Sequence, residues 1–214
     1  MGAVVRVKVC GITREEDALA AASVGADAVG LVFWEGSKRA VSVESAARIC
    51  RSLPPFVSVV ALFVDAEASK VEKVLSSVPV NLIQWHGRET PEFCEQWNFP
   101  YLRALPSSAC AALEAEMAGY PSARGFLLDA VHQGQFGGTG QAFDWSVIPG
   151  TRSRPLVLAG GLDADNVREA VTEVRPAAVD VSSGVESAPG IKDPEKMARF
   201  VTAAKQAAKG MQHD

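Results

Sequence analysis

Two residues of this chain are suited by type and setting to move protons. Cys10 closes the apolar run Val4 to Cys10, in which alternation puts Arg6, Lys8 and Cys10 on one face. At the usual strand rise Lys8 then lies about 6–7 Å from Cys10. A cation that near is expected to draw a thiol from about pH 8.5 toward neutrality, as a thiolate base requires. The competing reading of a lone cysteine is a small apolar filler. Asp129 closes a second apolar run, Gly125-Phe-Leu-Leu-Asp129. A carboxyl group there is costly unless it is paired or works as a proton donor; the structural alternative is a cap for the amides of the next loop.

Binding groups accompany these two. Gly160 and Gly161 follow one apolar run, and Ser182, Ser183 and Gly184 follow the next. Glycines let backbone N–H groups close on an anion, hydroxyls add donors, and a helix N-terminus adds partial positive charge, so the two loops read as a phosphate cradle. Arg39, in Ser37-Lys-Arg39, can fork onto a carboxylate. His86, after Gln84-Trp85, and Asp180, before Ser182, stand where they could touch a substrate.

These groups need a scaffold that brings ends of separate segments together. Short β-rich runs at Val4 to Cys10, Ala28 to Phe33, Val57 to Val64, Leu82 to His86, Tyr101 to Leu105, Gly125 to Asp129, Leu156 to Ala159 and Ala178 to Ser182 alternate with amphipathic segments. Nearly continuous apolar content suits strands covered on both faces, and the alternation is that of βαβ units. Helix starts are signalled at Thr13-x-x-Glu16, Thr90-Pro91, Asp193-Pro194, Ser42, Ser107 and Asp163, and Gly25 reads as a left-handed helix end. Phe143 to Ile148 allows only a turn or two of helix. Eight strands and eight connections predict a compact α/β fold, a single-domain (β/α)8 barrel over residues 1–214, whose strand ends carry the chemistry. A doubly wound open sheet is disfavoured, because the first strand runs into Cys10-Gly-Ile-Thr13 rather than a G-x-G-x-x-G turn. The loop Gly134 to Gly140 lacks dinucleotide spacing and reads as a mobile flap.

Composition narrows the partners. With 25 acidic against 21 basic residues the net charge is −4, and no basic patch offers itself to nucleic acid. No apolar run approaches the roughly 18 residues of a membrane helix, and the N-terminus has charges inside its apolar stretch, unlike a signal peptide. The expected compartment is therefore the cytoplasm, with Cys10, Cys50, Cys94 and Cys110 reduced. His86, His132 and His213 are dispersed, so no metal site is expected. The expected partner is a small phosphosugar; the oligomeric state is left open.

Taken in order, these motifs resemble the phosphoribosylanthranilate isomerase family of tryptophan biosynthesis. The resemblance is carried by Val7-Lys-Val-Cys-Gly-Ile-Thr13, Gly25-Ala-Asp-Ala-Val-Gly30, Ser37-Lys-Arg39, Gln84-Trp-His-Gly87, Leu128-Asp129, Gly137-Gly-Thr-Gly140, Phe143-Asp-Trp145, Ala159-Gly-Gly-Leu162 and Val179-Asp-Val-Ser-Ser-Gly-Val-Glu186. It implies an Amadori rearrangement of N-(5-phosphoribosyl)anthranilate to 1-(2-carboxyphenylamino)-1-deoxyribulose 5-phosphate, without a cofactor. By the same resemblance Asp129 is the general acid at the furanose ring oxygen, Cys10 takes the proton from ribose C2, Arg39 holds the anthranilate carboxylate, and the glycine and serine loops hold the phosphate. One departure is Trp85, where the family more usually has leucine; alternation turns it toward the helix shell. A lyase such as indole-glycerol-phosphate synthase should instead present lysine and glutamate at the catalytic strand ends. A metal-dependent epimerase needs convergent histidines and acids, and a binding barrel without activity would not need Cys10 and Asp129.

Overall fold

A computed structural model describes residues 5–129 and 144–210. Eight parallel strands close into one barrel in sequence order: β1 (Arg6–Cys10), β2 (Ala28–Val32), β3 (Ser58–Phe63), β4 (Leu82–Trp85), β5 (Tyr101–Pro106), β6 (Gly125–Asp129), β7 (Leu156–Ala159) and β8 (Ala178–Val181), with β8 paired back to β1. Helices α1 (Glu15–Ser23), α2 (Val43–Ser52), α3 (Ala68–Ser77), α4 (Pro91–Glu95), α5 (Leu113–Ala118), α6 (Val167–Val174) and α7 (Pro194–Gly210) stand in the connections. The expected strands are all present, most one or two residues shorter than read. Between β6 and β7 a single 3-10 turn, Trp145–Val147, is all the helix among the described residues, its Ser146 amide capped by Asp144 Oδ1 at 3.1 Å. The reading of Gly134 to Gly140 as a flap falls outside the described residues.

Alternation divides the strand residues into two cores. Outward residues such as Val7, Val9, Val29, Leu31, Phe63, Trp85, Phe126 and Leu158 are buried under the helices. Trp85 belongs to this shell, between Phe63 at 5.4 Å and Phe93 at 5.5 Å. Inside the barrel Leu102, Ala104, Leu127, Val157 and Ala159 fill one part, and Cys10, Val32 and Leu62 pack together in another.

Three of the six expected helix starts hold, each by a local bond, while Asp163 accepts from the Asp165 and Asn166 amides at 2.8 and 3.0 Å in a turn ahead of α6, whose cap position is Asn166. Ser42 Oγ accepts from the Ser45 amide at 3.1 Å, Thr90 Oγ1 from that of Phe93 at 3.3 Å, and Asp193 Oδ1 from that of Glu195 at 2.9 Å. Gly25 has φ +90°. Thr13 does not cap α1. The cap position is Arg14, and the Thr13 hydroxyl donates to the Gly190 carbonyl at 2.5 Å, tying the β1–α1 loop to a hairpin beyond β8. Ser107 likewise caps nothing, because a 3-10 turn, Ser107–Ala112, starts at it and precedes α5.

Candidate active site

Cys10 stands at the end of β1, opposite Gly30 of β2, and is 5% exposed. A Cβ on Gly30 would lie 2.7 Å from Cys10 Sγ and 3.1 Å from Lys8 Cε, so glycine there makes room for both side chains. Lys8, paired in register with Asp180 of β8, donates to Asp180 Oδ1 at 3.0 Å inside the barrel. Burial works against the Lys8 ammonium, but Asp180 and Cys10 outweigh it and raise its pKa above the ordinary value. The expected depression of the thiol is reversed. Burial pushes Cys10 up, and Lys8 and Lys192 recover only part of the shift, because Asp180 already balances the Lys8 charge. Asp180, expected at the substrate, is thus the buried partner of Lys8.

Asp129 ends β6 across the barrel mouth. His86, just beyond β4, bridges toward it: Gln84 Nε2 lies 2.8 Å from His86 Nδ1, and His86 Nε2 lies 3.3 Å from Asp129 Oδ2. The imidazole thus spans from Gln84 at one ring nitrogen to the Asp129 carboxyl group at the other. Among the described residues Asp129 Oδ1 is buried without a hydrogen-bond partner. His86 is steadied from outside the wall. Arg103 donates to Glu89 Oε2 and the Gly87 carbonyl, each at 2.8 Å, while Glu89 accepts from the amides of Asp65 and Gly87, each at 2.9 Å. Burial pushes the Asp180 carboxyl group up, Lys8 recovers part of that shift, and Asp129 and His86 add smaller, opposite effects.

Arg39 reaches the mouth from the β2–α2 loop. Its stem crosses Gly11, φ +76°, where a Cβ would overlap Arg39 Cδ. Its guanidinium is forked onto Glu186, Nε to Oε1 and Nη2 to Oε2, both at 2.7 Å. Glu186 starts the hairpin of β9 (Glu186–Ala188) and β10 (Ile191–Lys192), and Lys192 Nζ meets Glu186 Oε1 at 2.8 Å and the Ser182 carbonyl at 3.0 Å. Burial works against the Glu186 carboxylate, yet the two cations more than offset it and hold its pKa below the usual range.

The two glycine loops meet. Gly160 and Gly161 take φ +85° and +65°, and a Cβ on Gly184 would collide with the Leu162 carbonyl. Ser183 and Gly184 lie in a 3-10 turn, Ser183–Val185, directly after Ser182. Every expected site residue therefore stands at the strand-end face, Asp180 one layer deeper. Sequence reasoning missed Glu186 as the partner of Arg39 and Lys192 as the second cation on that carboxylate. Their only signal is opposite charges across a stretch too short to read as a hairpin.

The class that follows is a (β/α)8-barrel enzyme with its chemistry at the strand ends. The family model of N-(5'-phosphoribosyl)anthranilate (PRA) isomerase matches residues 7–203. An N-(5'-phosphoribosyl)anthranilate isomerase of Pseudomonas putida is 54% identical over 203 residues, covering 95% of this chain and 98% of that one. Phosphoribosyl anthranilate isomerase from Thermotoga maritima superposes with a TM-score of 0.87 at 46% identity, covering 94% and 99% of the two chains. A phosphoribosyl anthranilate isomerase in complex with reduced 1-(o-carboxyphenylamino)-1-deoxyribulose 5-phosphate is 42% identical, with a TM-score of 0.81 and coverage of 94% and 99%. The chain belongs to the N-(5'-phosphoribosyl)anthranilate isomerase family.

Proposed function

We propose that the protein catalyses the Amadori rearrangement of N-(5-phosphoribosyl)anthranilate in tryptophan biosynthesis, with Asp129 as general acid and Cys10 as general base. The observation that carries the assignment of roles is the pair of sites at the strand ends, Cys10 beside the buried Lys8–Asp180 ion pair and Asp129 beside His86. Asp129 gives its proton to the furanose ring oxygen. The C1–O bond breaks as the nitrogen lone pair forms a C1=N iminium. That cation sits next to C2 and acidifies its proton. The Cys10 thiolate, favoured by the Lys8 ammonium, removes the proton and leaves an enolamine. Loss of the 2-hydroxyl proton and protonation at C1 give the ketone, so the sugar ends with as many protons as it began.

Both ends of the substrate are anionic, and fixing both aligns the ribose between acid and base. Gly160, Gly161, Ser182, Ser183 and Gly184 hold the phosphate through backbone N–H groups and hydroxyls. Arg39 offers the substrate carboxylate the Nη1 edge that Glu186 leaves outside its fork. His86 acts on Asp129, orienting the acid, and Asp180 acts through Lys8. The compartment on this reading is the cytoplasm, in keeping with four free, buried cysteines.

The test is loss of anthranilate-type fluorescence when the purified protein meets freshly generated phosphoribosylanthranilate with chelator present. Turnover is expected. Folded protein that leaves the signal unchanged would overturn the assignment.

A further inference from the structure

The charges around Cys10 do not balance. Lys8 pairs with Asp180, and Arg14 pairs with Asp17. Arg39 and Lys192, however, share the single carboxylate of Glu186. Two cations and one anion leave one positive charge, and the Lys192 side chain that carries part of it is 0% exposed. A buried ammonium is expensive unless an anion answers it, so a cluster built for structure alone would be matched one to one. The missing partner is an anion that arrives.

The fork fixes where it must arrive. A guanidinium has two edges able to grip a carboxylate bidentately. Glu186 holds the edge made by Nε and Nη2, at 2.7 Å each. The edge made by Nη1 and the second Nη2 hydrogen is thereby turned to a set direction. Glu186 is itself anchored: its Oε1 accepts from Lys192 Nζ at 2.8 Å and from the Gly190 amide at 3.3 Å, and its carbonyl from Lys196 Nζ at 2.8 Å. Lys192 is anchored in turn, its Nζ to the Ser182 carbonyl and its amide to Asp17 Oδ2 at 3.1 Å. Thr13 closes the frame through the Gly190 carbonyl.

We propose that Glu186, held by Lys192, is a positioning residue that aims Arg39 at the aryl carboxylate of the substrate and so sets selectivity for a carboxylated aromatic amine over an unsubstituted one. The proposal rests on the reading of Arg39 given above. It makes the β9–β10 hairpin part of substrate selection although the hairpin reaches the substrate only through Arg39.

The experiment compares affinity for reduced 1-(2-carboxyphenylamino)-1-deoxyribulose 5-phosphate with that for the same compound made from aniline, in the wild type, Glu186→Asp, Glu186→Gln and Arg39→Ala, each checked by thermal melting. Wild type is expected to prefer the carboxylated compound by about 10- to 100-fold, the range of hydrogen bonds to a charged group. Glu186→Asp keeps the charge and withdraws the fork by one methylene. It should cut that preference by roughly 5-fold or more, raise KM with kcat within about 3-fold, and leave the aniline compound unaffected. Glu186→Gln should cut the preference as well. A preference unchanged in Glu186→Asp, or enlarged in Glu186→Gln because a competing anion has gone, overturns the positioning role. Arg39→Ala separates the two levels. If it keeps the preference, the reading of Arg39 itself fails; if it abolishes the preference while Glu186→Asp retains it, only the role of Glu186 fails.

Discussion

The interior of this barrel is made in two ways. On β5, β6 and β7 the inward positions beneath Asp129 are Leu102, Ala104, Leu127, Val157 and Ala159, an apolar plug. On β8, β1 and β2 they are Asp180, Lys8, Cys10 and Gly30, a buried ion pair, a thiol and the space for them. Both parts are shut off from water by the same parallel sheet. The apolar part needs only volume, whereas the charged part needs every member present, since a lone buried charge is far costlier than a satisfied pair. The plug fills the barrel beneath Asp129 at the end of β6, and the charged part surrounds Cys10 at the end of β1.

The largest effect separating them is expected in turnover. Cys10→Ser and Asp129→Asn should each lower kcat by about 10²- to 10⁴-fold with the melting temperature little changed, measured by the fluorescence assay beside circular dichroism. Next comes stability. Lys8→Met leaves Asp180 buried without its cation and should cost about 3–5 kcal/mol in urea unfolding. Replacing both members, Lys8→Met with Asp180→Leu, should recover much of that stability while turnover stays low; recovery of turnover as well would show that the pair serves packing alone. In the plug, Leu127→Ala should cost about 2–5 kcal/mol and leave kcat of the folded fraction near wild type, the inverse pattern.

The smallest effect is on thiol reactivity. The Cys10 pKa is raised by burial, so the thiolate is the minor form at neutral pH and grows as pH rises. Alkylation of Cys10, followed by mass spectrometry, should keep accelerating as pH rises past the range of an ordinary thiol. Lys8→Met removes a lowering influence and should move that rise to higher pH. Cys50 and Cys94, pushed up to about 11 and about 12, should stay unmodified over the same range.

Much of this architecture is legible in the sequence because local signals and the global period agree. Continuous apolar runs ending in Cys10, Asp129 and Ala159 give the strands and, with them, the strand ends where the candidate site is sought. Signals fail where a side chain has a better distant partner than its local one. Thr13 leaves its capping role for the Gly190 carbonyl, a contact across 177 positions of chain. Lys8 was expected to depress the Cys10 thiol, but its charge is largely balanced by Asp180, 172 positions away. The Arg39 fork was read for a substrate carboxylate, and one of its edges belongs to Glu186. Spacing reports neighbours within an element; it carries no trace of which charges the closure of β8 onto β1 brings together.

The central claim is that acid and base are two different residues acting at two different atoms. It is tested most directly with substrate deuterated at ribose C2, by comparing the isotope effect on turnover in wild type, Cys10→Ser and Asp129→Asn. With Cys10 as the base, proton removal becomes the slow step in Cys10→Ser, so the isotope effect should grow there, while in Asp129→Asn slow ring opening should mask it. An isotope effect that grows in Asp129→Asn and not in Cys10→Ser would contradict the assignment of both roles.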